Sequence, residues 1–446
     1  MSENKGSTSE LQRVLTFTDL LLAAIGWIIG AGIMTIMSTG IGITGRSIPL
    51  SFGVAMLIVL SLSLPQLFIA GTVRLRGGQY TMIGLLCGKW WSGFFVIVNF
   101  FANISFVTLA ISFASYFMSL FGFGNEKVIA MVVLTLFYVL NLLGVDKFAK
   151  VQNVIVILLL AALGLYAAFG IGKIDPNYFD TSSPEWMMAG IGGVFTTGGL
   201  MTFALGGGIG VINLSAQAKN PTRDIPLAVI ISTLAVAVVY AVLSVITAGV
   251  LPVAQVANQN LAVVAEITMP RLAYVAFIIF GAGFAIVSTI NSKFAAACPP
   301  ILQAADDGWF PKGIAKLSRW KTPYVILTGL YLFGAVCIIG GLSLANASSM
   351  AVITSSTCIM IIDLCTFQIA KKCPAEWSKS KFHCKPAMLM FVSLLGAGAS
   401  LINIILNVSL LSKSVIILNF VFMGAAAVFA TIRYKKANMV ISYEAA

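Results

Sequence analysis

The sequence predicts an all-α membrane protein of twelve transmembrane helices, and three observations carry that reading. Apolar runs of membrane-spanning length follow one another from residue 15 to residue 432. Charged side chains make up only 9% of the chain and its mean hydropathy is +0.99, a balance that no water-soluble domain of this length keeps. Glycines interrupt the first and sixth runs near their middles, where an unbroken helix gains nothing from them.

Taken in order, the runs cover residues 15–43, 48–72, 91–121, 128–144, 151–171, 188–217, 226–252, 272–304, 323–342, 348–370, 387–411 and 414–432. The first fourteen residues are mostly polar and no small-residue cleavage site follows the first run, so an uncleaved first helix is expected. With the N-terminus inside, most of the 27 lysines and arginines fall in cytoplasmic segments, and the outer side keeps Arg46, Lys127, Lys173, Arg271 and Lys413. That asymmetry supports an even number of spans and a cytoplasmic-membrane protein with both termini inside. It also accounts for the net charge of +12 without nucleic acid, because the charges are spread through short loops. The chain divides into a tail (1–14), a ten-helix core (15–370), a cytoplasmic loop (371–386), helices eleven and twelve (387–432) and a second tail (433–446). Seven scattered cysteines, from Cys87 to Cys384, form no CxxC pair and suggest neither a disulfide framework nor a metal site.

The stretch Gly26 to Ile33 reads Gly-Trp-Ile-Ile-Gly-Ala-Gly-Ile. Gly30 and Gly32 are either small residues for close helix packing or the mark of a break. Irregular backbone at membrane depth is tolerated where protein buries it or water reaches it, and a half-helix starting there would offer its amides and positive dipole end to an anion. In helix six, Gly206, Gly207, Gly208 and Gly210 fall within five positions. Consecutive glycines cover all sides of a helix, so a packing face explains them poorly and a break is expected. The two interruptions lie five spans apart, in helices entering from opposite sides. That is the pattern of two inverted five-helix units with a site at the midplane, and helices eleven and twelve lie outside it.

At these residues the chain resembles the amino acid-polyamine-organocation (APC) family of transporters, which adopt the LeuT fold. The matching features are Gly30-Ala31-Gly32-Ile33, Gly77-Gly78-Gln79-Tyr80, Lys219-Asn220-Pro221 with Arg223-Asp224-Ile225-Pro226, and Ala304-Ala305-Asp306-Asp307-Gly308-Trp309-Phe310-Pro311. The resemblance implies a LeuT-type 5+5 inverted repeat with helices one and six broken. It also implies a substrate amino acid whose carboxylate rests on the amides around Ala31, Gly32 and Ile33, with its amino group on carbonyls of the two broken segments. Ile29 and Gly30 in the first segment and Gly206, Gly207, Gly208 and Ile209 in the second complete that frame. Members that carry cationic substrates often have an acid in the second break, where this chain has Ile209, which turns the expectation toward a neutral or acidic amino acid.

Other intramembrane polar residues are candidates with two readings each. Lys293 costs about 2.5–3.5 kcal/mol at a helix centre; it either faces substrate, pairs with Asp363 in helix ten, or snorkels. Asn99 and Asn103 share a helix face and serve either the substrate or neighbouring helices. Phe203 resembles an aromatic that closes over substrate in the family, although packing is the commoner use of phenylalanine. Thr354, Ser355 and Ser356 either line the cavity or bond back to their own helix. Hydroxyls at Ser288, Thr289 and Ser292 raise sodium coupling, and Leu159 stands where some family members place a lysine.

The expected function is secondary active amino acid transport by alternating access, as an exchanger or a proton-linked carrier. The alternatives are a cationic amino acid or polyamine exchanger, a sodium-coupled symporter and, in another class, a channel. No HExxH, GxSxG or paired catalytic aspartates occur in the spans, so an enzyme is not expected. Candidate partners are the amino acid, the bilayer, a coupled proton and a second copy of the chain; no cofactor is implied.

Overall fold

Helix begins at Thr16, whose hydroxyl accepts the Asp19 amide at 3.4 Å while the Asp19 carboxylate accepts the Thr16 amide at 2.9 Å. This capping box starts α1 (Phe17–Ile28). The computed structural model describes residues 13, 15–30, 32–75, 77–143, 148–215, 217–320, 322–437 and 443–445. At Ile29 the backbone turns extended (φ −80°, ψ 99°), ending α1 in the middle of the first apolar run. Helix resumes as a π-helical turn, Gly32–Ile36, leading into α2 (Met37–Thr44).

Ending a helix inside a protein strands its last carbonyls unless side chains reach them. Here the Tyr240 hydroxyl donates to the Ile28 carbonyl at 3.1 Å. The Thr289 hydroxyl, 2.8 Å from the Ala285 carbonyl, also lies 3.3 Å from those of Gly26 and Ile29. The interruption is thus supported by residues far along the chain.

After α2 come α3 (Ile48–Ala70), α4 (Gly78–Leu86), α5 (Lys89–Ala102), α6 (Ser105–Phe121), α7 (Glu126–Leu142), α8 (Phe148–Gly170) and α9 (Gly190–Leu205). Helix three is jointed between α5 and α6, where the Asn103 and Ile104 amides reach back three residues to Phe100 and Phe101. The chain continues through α10 (Pro221–Val250), short α11 (Val253–Val256), α12 (Ala262–Thr268) and α13 (Arg271–Ala276), then a π-helical stretch, Phe277–Gly283, and α14 (Phe284–Asp306). The last elements are α15 (Tyr324–Ile339), α16 (Leu344–Cys365), α17 (Ile369–Lys372), α18 (Pro374–Lys379), α19 (Pro386–Val408) and α20 (Lys413–Arg433). A short strand pair, Val73–Leu75 with Tyr443–Ala445, runs antiparallel with Arg74 opposite Glu444.

Among the described residues nine helical stretches are long and apolar enough to cross a membrane: Phe17–Ala70, Lys89–Phe121, Asn153–Lys173, Gly190–Leu214, Pro221–Val250, Arg271–Ile290, Leu344–Lys372, Pro386–Val408 and Lys413–Arg433. Tyr324–Ile339 is a shorter apolar helix. The chain is therefore an all-α, multi-pass membrane protein.

Helix six changes type instead of opening. α9 passes at Gly206 into a 3-10 helix of nine residues, Gly206–Leu214. A 3-10 helix eclipses side chains three apart, and that geometry puts Gly207 and Gly210 on one edge. Both edge glycines abut Trp27: a Cβ on Gly207 would overlap the Trp27 carbonyl, and one on Gly210 would lie 2.8 Å from its indole ring. Gly207 and Gly210 thus let the last turn of α1 press against bare backbone.

One end of the bundle is closed by Arg46, which is only 8% exposed. Its Nη1 lies 2.8 Å from Asp175 Oδ2 and its Nε 3.2 Å from Glu185 Oε2. The Tyr178 hydroxyl donates to the Arg46 carbonyl at 2.6 Å, and Glu185 Oε1 accepts the Val253 amide at 3.1 Å. This clasp joins the α2–α3 corner, the loop before α9 and the start of α11. At the opposite end the Tyr80 hydroxyl donates to Asp307 Oδ2 at 2.7 Å, and Arg433 donates to the Gly308 and Trp309 carbonyls.

Candidate functional site

Where the interrupted first helix crosses the 3-10 segment, the two backbones meet without side chains between them. A Cβ on Gly32 would overlap the Cα and Cβ of Ala204, the residue two positions before Gly206. One on Gly30 would lie 2.8 Å from the Thr289 hydroxyl. Gly206 differs, since nothing lies within 4 Å of a Cβ built there. At Gly30 and Gly32 the interruption and the close packing therefore occur together.

Beside this crossing lies a cavity of about 240 Å³. Of the residues singled out in the sequence, Gly30, Gly32, Asn99, Asn103, Phe203, Gly206, Gly207, Ile209, Thr289, Lys293, Ser355 and Ser356 line it. Ile29 and Ile33 are fully buried and Gly208 is buried against Ile28 and Ser232, so these three support the walls from behind. Ala31 and the side chain of Ser292 lie outside the described residues. The cavity reaches from Trp27 and Phe203 toward Gln79, Asn213 and Pro300, at the Asp307 end of the bundle. Val59, Leu62, Leu109, Val352 and Ile359 give it an apolar wall.

The joint in helix three brings Ser105 to this cavity, and the Lys293 ammonium donates to the Ser105 hydroxyl at 3.1 Å. It also stands 6.0 Å from the centre of the Phe203 ring, at the outer limit of a cation–π contact. Asp363 is elsewhere: its carboxyl accepts from the Ser400 hydroxyl at 3.4 Å, and the two charged residues do not pair. Lys293 points into the cavity and does not snorkel away from it. Asn103 uses its amide on the Asn99 carbonyl at 2.9 Å. Ser355 bonds back to the Val352 carbonyl while bordering the cavity, whereas Thr354 bonds back to Met350 and lies away from it.

Sequence reasoning named Gln79 only as part of a motif and passed over Thr202, Asn213 and Asn403; all four line the cavity. Gln79 and Asn213 are linked, since the Gln79 backbone N–H donates to Asn213 Oδ1 at 3.2 Å. Asn403 belongs to α19, outside the ten helices considered as the core. Its signal is the spacing Ser393, Ser400, Asn403 and Asn407, which marks one polar helix face in an otherwise apolar span.

A family model described as an amino acid permease matches residues 15–433. The chain belongs to the amino acid permease family. This permease is 27% identical over 392 residues to the branched-chain amino acid permease BcaP of Bacillus subtilis, covering 82% of each chain. It is 25% identical over 398 residues to the methylthioribose transporter of the same organism, covering 83% of this chain and 84% of that one. The branched-chain amino acid permease BcaP of Lactococcus lactis is 22% identical over 386 residues, covering 81% of this permease and 82% of the relative. The resemblance to the APC transporters stands, and with it amino acid transport across a membrane as the activity of the family.

Proposed function

We infer that this permease is a secondary active transporter of neutral amino acids with apolar side chains, working by alternating access. In this reading it has twelve spans, and the five-helix units beginning at α1 and at α9 form a LeuT-type inverted repeat, with helices eleven and twelve outside it. The observation that carries the reading is the cavity of about 240 Å³ at the crossing of two glycine-rich, non-α segments. Such a site suits a zwitterion. The substrate carboxylate faces the first amides of the helix that restarts at Gly32, which have no partner within their own segment. Its amino group faces carbonyls of the glycine-rich 3-10 stretch, and its side chain lies on Val59, Leu62, Ile209 and Val352. The names of two relatives make branched-chain amino acids the first to test.

With the N-terminus inside, Gln79, Asn213 and Pro300 lie at the cytoplasmic end and Arg46 at the outer end. The conformation is then inward-facing, with the Arg46 clasp sealing the outside. Lys293 extends the substrate range toward acidic side chains. Reconstituted in liposomes, the protein is expected to take up labelled leucine, isoleucine or valine saturably, with faster uptake when unlabelled substrate is inside. Linear, unsaturable flux would indicate a channel and defeat the reading.

A further inference from the structure

α16 and α19 face each other across a buried polar seam. On α16, Ser349, Ser356 and Asp363 recur every seven residues, and on α19 the Ser393, Ser400, Asn403 and Asn407 face is turned toward them. All seven are buried. At one end of the seam the Asp363 carboxyl is fully enclosed, with Oδ2 accepting from Ser400 at 3.4 Å and Oδ1 without a partner. Gly396 makes room for it, since a Cβ there would fall 2.8 Å from Asp363 Oδ2 and against Pro65 of α3. The titratable group beside it is the Cys87 thiol at the end of α4, which also meets the Cys365 thiol. No lysine, arginine or histidine lies within ion-pair distance of it among the described residues.

Toward the centre the seam carries a cluster of hydrogen bonds around Asn403. Asn403 donates to Ser356 at 3.0 Å and accepts from Thr202 at 3.0 Å, while Asn407 donates to the Gly199 carbonyl at 3.0 Å. Asn403, Ser356 and Thr202 all border the cavity. Ser400, three residues before Asn403 on the same helix face, bonds Asp363 and stands between that carboxyl and the cavity-lining Asn403. An ionised carboxyl enclosed at membrane depth needs a counter-charge, and this one has only a hydroxyl and an open lone pair.

We propose that Asp363 binds the proton that moves with the substrate, exchanging it by way of the Ser400 hydroxyl on the side of the seam that faces the cavity. The idea rests on the transport reading above and assigns its coupling ion. The proton is taken from the outer solution onto a carboxylate oxygen of Asp363 and is released to the inner solution with the amino acid. No bond of the substrate changes, and one positive charge crosses with each zwitterion.

The test uses the full chain in liposomes containing the pH dye pyranine, with three readouts: leucine counterflow at equal pH, accumulation under an inward proton gradient, and acidification of the lumen on adding leucine. For one proton per substrate, a gradient of ~1 pH unit is expected to raise the accumulation ratio about tenfold, the ratio of proton concentrations. Asp363→Asn, which mimics the protonated acid, is expected to lose the gradient response and the acidification while leucine still exchanges, and Asp363→Glu to recover part of both. Ser400→Ala is expected to slow acidification. Leucine entry by the wild type without acidification overturns the proposal whether or not any variant folds. So does a response to sodium alone, or an Asp363→Asn variant that responds like the wild type. Absence of counterflow by the wild type across a panel of amino acids would remove the transport reading and this proposal with it.

Discussion

Replacing Gly32 by alanine asks whether helix one and helix six must touch through bare backbone. The added methyl overlaps the Cα and Cβ of Ala204, and neither obstacle can rotate aside, since one is main chain and the other is fixed to it. Carbon atoms in ordinary contact lie at about 3.5–4.0 Å, so the two segments have to part by about 1 Å or more. Overpacking of this kind costs about 1–3 kcal/mol. That amounts to a shift of about 5- to 150-fold in the balance between the conformation in which the segments meet and those in which they do not. Gly206→Ala is the control: its backbone (φ −74°, ψ −6°) suits any residue, and the space beside it is open. It is expected to change stability by less than about 0.5 kcal/mol. Thermal unfolding in detergent compares the two variants, and counterflow in liposomes is read for Gly32→Ala. Wild-type stability and transport in Gly32→Ala would refute the reasoning, as would equal damage from the two substitutions.

Two further outcomes follow from the site and the clasp. Lys293→Met removes the ammonium held by Ser105 beside Phe203; it is expected to weaken transport of acidic amino acids about tenfold or more, the scale of a lost charged hydrogen bond, and to leave leucine little changed. Competition of glutamate against labelled leucine reads this, and unaltered selectivity would count against Lys293 facing substrate. In the loop before α9, the Asn177 amide and then the Arg46 guanidinium hold the Asp175 carboxyl below the usual carboxylate range. A depressed carboxylate contributes stability above its unfolded pKa of about 3.9 and loses it as pH falls through the lower folded value. Trp186 fluorescence, reporting on that loop, is therefore expected to stay flat between about pH 5 and 8 and to change only below about pH 4; a transition near neutrality would contradict the assignment.

How far the sequence could be read depended on the range of the interaction involved. The apolar runs declare themselves locally, and the interruption at Gly30 and Gly32 is visible because glycine in mid-span is costly wherever it packs. What glycine cannot reveal is which neighbour it admits. Gly32 and Gly207 lie against backbone while Gly206 borders open space, and one residue type serves both purposes. For the same reason the expected gap in helix six proved to be a 3-10 helix, because the glycine edge acquires its meaning only from Trp27 across the crossing. Arg46 could be placed on an outer corner, but its two carboxylate partners lie more than a hundred residues away and no local pattern names them. Asn403 was missed because an inverted-repeat frame sets helix eleven aside, although its polar face was legible in the spacing.

The nine residues from Gly206 to Leu214 also hold a difference in length. A 3-10 helix rises about 2.0 Å per residue and an α-helix about 1.5 Å, so this stretch is about 18 Å long as it stands and would be about 13.5 Å if it relaxed to α. Rewinding would draw its far end inward by about 4.5 Å, close to one α-helical turn, without breaking the chain's helical continuity. The two lengths open to this one stretch of backbone thus differ by most of a helical turn, and Asn213, which lines the cavity, sits at the end that would move.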